Sequence, residues 1–254
     1  MILTFDHTIV LITGASRGIG AAAARLFAGS GGTVVVHYHS DETAAQAVFA
    51  SLPGEGHSAI RADMADPESL RLMVTEVMKR YGRIDILVNN AGIYEEHKMI
   101  SLPEGDFLAY WERNISVNLS GPAFLAFLVS KEMQKGDGGR IVNVTSRGAF
   151  RGEPTSWAYG AAKAGLNAVG QSMAKALAPD GIYVFTLAPG FVDTDMTTPC
   201  LTGDRRGEIE AQSPLNRIAS PEEIARAILL LAAKGNEYMT GCVLDMNGAS
   251  YLRT

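Results

Sequence analysis

The sequence predicts a doubly wound α/β fold: one domain over residues 1–254, built on a seven-stranded parallel sheet with helices on both faces. Three observations predict it. Short apolar, β-branched runs recur seven times along the chain. Stretches of helical period lie between them, some with caps at their ends. The runs are apolar at nearly every position rather than at every second one, the pattern of strands buried on both faces and hence of a parallel sheet.

The first strand, "TIVLIT" at 8–13, leads directly into "TGASRGIG" (Thr13 to Gly20) and the Ala-rich helix "AAAARLFA". "TVVVHY" at 33–38 and "SAIRA" at 58–62 are the second and third strands. The stretch 66–82, "DPESLRLMVTEVMKRYG", is a helix: Asp66 caps it, Pro67 suits the first helical position, apolar residues return every three or four, and Gly82 ends it. "DILVNN" at 85–90, "RIVNVTS" at 140–146 and "IYVFTLA" at 182–188 are the fourth to sixth strands. "SPEEIARAILLLAA" at 220–233 opens with the capping-box pattern of Ser220 and Glu223, and "CVLDM" at 242–246 completes the sheet. No linker, repeat or low-complexity tract divides the chain. In such a sheet ligands bind beyond the carboxyl ends of the strands, where the strand order reverses.

Composition narrows the function. With 47% hydrophobic residues the 254-residue chain has ample material for a core, and a net charge of −5 without a Lys/Arg block argues against nucleic acid or an anionic membrane as the main partner. Cys200 and Cys242 stand alone, and the five histidines show no metal-binding spacing, so no metal is expected. The opening "MILTFDHTIVLITG" shows no signal-peptide pattern and no run is long enough to span a bilayer, so a reduced, cytoplasmic setting is expected. The Asn-x-Ser/Thr matches at Asn118 and Asn143 are then chance matches.

Two motifs carry chemistry. Gly14, Gly18 and Gly20 stand at G-x-x-x-G-x-G between a strand and a helix, where free amides and the helix dipole suit a pyrophosphate. Tyr159 and Lys163 lie four apart in a run of Ala and Gly, on one face of a helix, where an ammonium can favour the phenolate. Taken alone, that pair is far more often an ordinary helix pair than a working acid. Order along the chain decides. Asn89–Asn90–Ala91–Gly92 closes the fourth strand, Asn118 lies on the next long helix, Ser146 closes the fifth strand, and Pro189–Gly190 follows the sixth. With Thr13 and the glycines, almost the full chain resembles the short-chain dehydrogenase/reductase family, a Rossmann-type fold.

The resemblance implies roles. Tyr159 is the general acid in carbonyl reduction and, as phenolate, the base in alcohol oxidation. Lys163 grips the nicotinamide ribose and lowers the phenol's pKa, Ser146 hydrogen-bonds the substrate oxygen, and Asn118 holds a water of a proton relay. The dinucleotide is expected against Gly14, Ser16, Arg17, Gly18, Ile19 and Gly20 of the turn, His39 and Ser40 after the second strand, Asp63 and Met64 after the third, Asn90, Ala91 and Gly92 after the fourth, and Pro189, Gly190, Val192 and Thr194 after the sixth. Enzymes that use NAD usually end the second strand with a carboxylate, but Tyr38 stands there and Arg17 is at hand, so NADP(H) is expected, with NAD as the alternative.

Within the family the pattern is similar to 3-oxoacyl-acyl carrier protein reductases, through "SRGIG", "GRIVNVTS" and "SPLNRIASPEEIA". The longer, acidic "IYEEHKMISLPEGDFLAYWERN" departs from it, with Glu95 and Glu96 near the mouth of the site. Residues of about 190–216 are expected to form a substrate lid. Phe150, Trp157 and Phe191 are candidate pocket walls, and Arg151 is either a partner for an anionic substrate or a solvated side chain. The expected reaction is NADP(H)-dependent reduction of a ketone or 3-oxoacyl group to a secondary alcohol by a homotetramer. An NAD-dependent alcohol or sugar dehydrogenase and a non-catalytic dinucleotide-binding regulator stay open beside it, although a pure binder has little use for a positioned acid.

Overall fold

A computed structural model describes residues 3–253. In chain order the elements are β1 (Ile9–Ile12), α1 (Gly18–Gly29), β2 (Thr33–Tyr38), α2 (Glu42–Ala50), β3 (Ser58–Arg61), α3 (Pro67–Tyr81), β4 (Ile86–Asn89), α4 (Glu104–Ile115), α5 (Gly121–Met133), β5 (Gly139–Val144), α6 (Gly148–Arg151), α7 (Trp157–Leu177), β6 (Ile182–Pro189), α8 (Asp204–Glu210), α9 (Pro221–Ala232) and β7 (Val243–Met246). The strands form one sheet in the order β3-β2-β1-β4-β5-β6-β7, every pair parallel. All seven expected strands are present, within two residues of their expected ends.

The continuous apolar runs are explained by two cores. Val10 and Ile12 of β1 join Val34 and Val36 of β2 in a core beneath α1, α2 and α9, which contributes Ile224 and Ile228. The residues between them, Leu11 and Val35, point to the opposite face, where Leu70 and Met73 of α3 and Leu125 and Val129 of α5 cover them. Alternate side chains thus leave the sheet in opposite directions, and both directions are dry.

Helix ends follow the expected chemistry. The Asp66 carboxylate accepts from the Glu68 amide, Gly82 takes the left-handed conformation that ends α3, and Ser220 and Glu223 form a complete capping box on α9. Helices α4 and α5 are separate, joined by a π-helical segment over Ser116–Ser120. The long helix expected to carry Asn118 is therefore interrupted at that residue.

Ser220→Ala removes the side-chain acceptor that holds the Glu223 amide. We expect it to lower the stability of the protein by about 1 kcal/mol in urea titration, with an unchanged m-value.

Candidate active site

The strand order reverses between β1 and β4, and their carboxyl ends part there. Hydrogen bonds tie the two ends together. The Thr13 hydroxyl accepts from the backbone amides of Asn90 (2.9 Å) and Ala91 (3.0 Å), while the Asn90 side-chain amide donates to the carbonyls of Thr13 (2.9 Å) and Gly14 (3.1 Å). Gly14 and Gly18 take positive φ, which bends the turn out of β1 and back into α1. A Cβ on Gly20 would lie 2.3 Å from the Gly14 carbonyl oxygen, so the glycine permits the packing of α1 on the turn.

Beneath the turn lies His37, which the sequence reading passed over. Its Nδ1 accepts from the Gly14 amide at 3.0 Å and its Nε2 lies 3.1 Å from the Ala62 carbonyl, an arrangement that requires the neutral ring. Burial pushes its pKa down to about 4. The alternation of β2 was the available signal, since His37 occupies an inward position between Val36 and Tyr38.

The opposite wall is set by α7. The Tyr110 hydroxyl of α4 accepts from the Ala158 amide and lies 3.2 Å from Ser156 Oγ, which fixes the start of α7 one residue before Tyr159. Lys163 is buried and donates to the Val144 carbonyl at the end of β5 (3.0 Å). Its Nζ lies 5.7 Å from the centre of the Tyr159 ring, and the Tyr94 ring meets Tyr159 edge-on at 5.0 Å.

These walls enclose a cleft of about 460 Å³. From the turn, Gly14, Ser16, Arg17, Gly18 and Ile19 line it. His39, Ser40, Asp63 and Met64 line one end, and Asn90, Ala91 and Gly92 the floor. Ser146, Tyr159 and Lys163 line the far end, with Pro189, Gly190, Val192 and Thr194 above. Gly20 and Asn118 do not line it.

Asn118 is fully buried and its amide is nearly saturated. Its Oδ1 accepts from the Ile93 amide (3.0 Å), and its Nδ2 donates to the Ile93 carbonyl (3.0 Å) and to Asn114 Oδ1 (3.2 Å). Asn114, also missed from sequence, continues the chain to Tyr110 and to Glu95. A dinucleotide fits this cleft. The amides of the turn line it, and Gly92 lets the loop after β4 pack closely on the buried Asn118, since a Cβ there would lie 2.8 Å from Asn118 Oδ1.

The electrostatics differ from expectation. The Lys163 ammonium was expected to bring the Tyr159 phenol down, yet burial pushes it up to about 12, against the opposing pull of the Ser146 hydroxyl. Burial also lowers Lys163, to about 8. The two groups share one dry wall, and Lys163 spends a hydrogen bond on β5 rather than on the phenol oxygen.

Other expectations are corrected as well. Phe191 lines the pocket beside Tyr159, but Phe150 packs under Arg253 and Trp157 is 44% exposed, its indole N–H donating to the Pro154 carbonyl. Arg151 is paired with Glu153 (3.4 Å). Glu95 and Glu96 are neutralised by Arg113 (2.9 Å) and Arg205 (2.6 Å).

Comparison with known proteins agrees with this geometry. A family model described as enoyl-(acyl carrier protein) reductase matches residues 14–248. The chain belongs to the short-chain dehydrogenase/reductase family. Short-chain dehydrogenases/reductases act on a carbonyl or CH–OH group with a nicotinamide dinucleotide, and this chain is an enzyme of that kind. The 3-oxoacyl-[acyl-carrier-protein] reductase FabG of Escherichia coli K12 is 37% identical over 250 residues, 98% of this chain and 100% of its own. The 3-oxoacyl-[acyl-carrier-protein] reductase of Synechocystis is 38% identical over 243 residues (94% and 95%), and FabG of Thermotoga maritima 38% over 248 residues (97% and 98%). No helix among the described residues is long and apolar enough to cross a membrane, and no group of His, Cys, Asp or Glu there could hold a metal ion.

His37 generates a prediction. Its folded pKa is depressed from 6.5 to about 4, so the unfolded chain takes up the proton first as the pH falls. The stabilisation is present above pH 6.5 and is lost between there and pH 4, amounting to roughly 3 kcal/mol by linkage. Urea midpoints measured across that range should fall with acid in the wild type, and His37→Asn should flatten the slope.

Proposed function

We propose that the protein is an NADP(H)-dependent reductase that converts a ketone or 3-oxoacyl group to a secondary alcohol, with Tyr159 as its general acid. The observation that carries the reading is the shared cleft: the glycine turn at one end, and Ser146, Tyr159 and Lys163 together at the other. The dinucleotide, when bound, supplies the hydride. Negative charge then develops on the substrate oxygen, and Tyr159 protonates it. A phenol held at about 12 is fully protonated near neutral pH, so the acid is always loaded for reduction. Ser146, beside the phenol, orients the same oxygen. Lys163 is mostly protonated below its pKa of about 8 and lowers the cost of the phenolate that forms as the proton leaves.

Asn118 acts here as an anchor. Both of its amide protons and one oxygen lone pair are committed to Ile93 and Asn114, so its side chain shapes the π-helical segment and the loop after β4. Any relay water at this position is left to the backbone of that segment.

The cofactor preference rests on the end of β2. Tyr38 is buried there, and Asp41 is engaged as the cap of α2, its Oδ1 accepting from the Ala44 amide at 2.9 Å. Arg17 is exposed at the rim, with only a loose contact to the equally exposed Asp195 (3.8 Å), and is free to meet a 2′-phosphate. Segment 190–216 serves as the lid. The edge strand β7 is only half-buried, which suits the two-fold packing of a homotetramer, and the free thiols of Cys200 and Cys242 suit a reduced, cytoplasmic setting.

Tyr159→Phe is expected to keep NADPH affinity while losing roughly 10²-fold or more in kcat, read from nicotinamide absorbance with a panel of ketones. Equal turnover by both proteins would remove the assignment. Wild-type kcat/KM should be higher with NADPH than with NADH, and Arg17→Ala should lower the NADPH value about ten- to a hundredfold, the worth of one charge-assisted hydrogen bond.

A further inference from the structure

Arg147 follows Ser146 directly and is only 3% exposed, yet among the described residues it pairs with no carboxylate. Its guanidinium donates to Gln212 Oε1 (2.6 Å) and to Ser250 Oγ, both neutral, which uses two of its five N–H groups. The other well-buried guanidinium, that of Arg140, is paired with Glu237, and the more exposed Arg113, Arg205 and Arg217 all hold carboxylates. Burying a cation without a counter-ion is unfavourable. The structure nevertheless fixes this one firmly: its amide donates to the Pro189 carbonyl (2.8 Å), and its guanidinium lies over the Phe191 ring at 5.0 Å.

Its position points to substrate. Arg147 lines a small cavity of about 60 Å³ together with Ser146 and Tyr159, and it also lines an adjoining cavity of about 210 Å³. Glu153 faces the same small cavity, but Arg151 pairs with it, so Arg147 supplies the excess positive charge there. Burial lowers its pKa to about 10, which leaves it charged at neutral pH.

We propose that Arg147 determines specificity by binding a carboxylate on the substrate, so that the ketone reduced is a short oxo acid with its free carboxylate a few bonds from the carbonyl. The inference rests on the reductase reading and narrows it. Tyr159 and Arg147 both line this one small cavity, so a substrate that met both would have its carbonyl and its anion close together, which favours a free oxo acid over a long thioester. The planar fork with uncommitted N–H groups matches a carboxylate.

The test compares acetoacetate with its neutral ethyl ester, NADPH being followed by absorbance, in wild type, Arg147→Gln and Arg147→Lys, with melting curves to show that each variant is folded. Wild type should prefer acetoacetate, and Arg147→Gln should lower the acetoacetate-to-ester ratio of kcat/KM by roughly ten- to a hundredfold. Arg147→Lys should restore part of that ratio, and if Arg147→Gln does not fold, the ratio in Arg147→Lys, lowered but not abolished, decides. A wild type indifferent to the carboxylate, or a variant that loses both substrates equally, overturns the proposal. Should neither ketone be reduced, the reductase reading fails separately. Calorimetric titration of acetoacetate into the NADP⁺-loaded protein then decides: binding that is lost in Arg147→Gln supports the anion site, and no binding to wild type overturns it.

Discussion

The hydrogen bonds that join the end of β1 to the end of β4 are the constraint on which the rest of the site depends. One hydroxyl, that of Thr13, receives two backbone amides from the neighbouring strand, and one side-chain amide, that of Asn90, returns to two carbonyls of the turn. Those groups lie partly buried where the sheet opens, and pairing them holds the two strand ends together. His37 supports the same turn from the side, by accepting from Gly14. The result is a fixed floor from which the glycine turn rises on one side and the β4 loop on the other. A cleft shaped by satisfied backbone needs little rearrangement to receive a ligand.

From this floor the second wall is built by relay. The β4 loop is clasped by Asn118, Asn118 by Asn114, and α4 carries both Asn114 and Tyr110, whose hydroxyl holds the start of α7. Tyr159 is therefore positioned by a chain of neutral hydrogen bonds that runs from one side of the cleft to the other. The electrostatic consequence is set by dryness rather than by the nearby lysine: burial raises the phenol and lowers the ammonium. Such a pair keeps its proton on the phenol, and the positive charge of an oxidised nicotinamide, if bound beside it, would favour the phenolate.

Much of this was legible in the sequence because it is local. Apolar runs marked the strands, Asp66 and Gly82 bounded α3, and Ser220 with Glu223 announced α9, since caps act within one turn. The order of Thr13, Asn90, Ser146, Tyr159 and Lys163 pointed to a candidate site, and Asn90, Ser146, Tyr159 and Lys163 line one cleft. What was not legible depends on partners distant in sequence. Glu96 reads as an acidic residue at the mouth of the cleft until Arg205, 109 residues on, is seen to hold it. Asn118 is expected from sequence to hold a relay water, but the π-helical segment turns its amide onto Ile93. Trp157 and Phe150 look like pocket walls in sequence, because an apolar ring has the same letter whether it faces substrate, packing or solvent. Arg147 shows the reverse case: nothing in the sequence singles out this charge beside Ser146, and only its burial and its neutral partners distinguish it.

The central claim is that the chain by itself keeps Tyr159 protonated and that bound oxidised cofactor releases it. The most direct measurement is the titration of the Tyr159 phenol in protein carrying ring-labelled tyrosine, followed by carbon NMR and assigned with Tyr159→Phe, without cofactor and with saturating NADP⁺. The expected result is a value near 12 for the protein alone and a clear fall on binding NADP⁺. A phenol that already titrates near neutral pH in the protein alone, or one that NADP⁺ leaves unmoved, would contradict it.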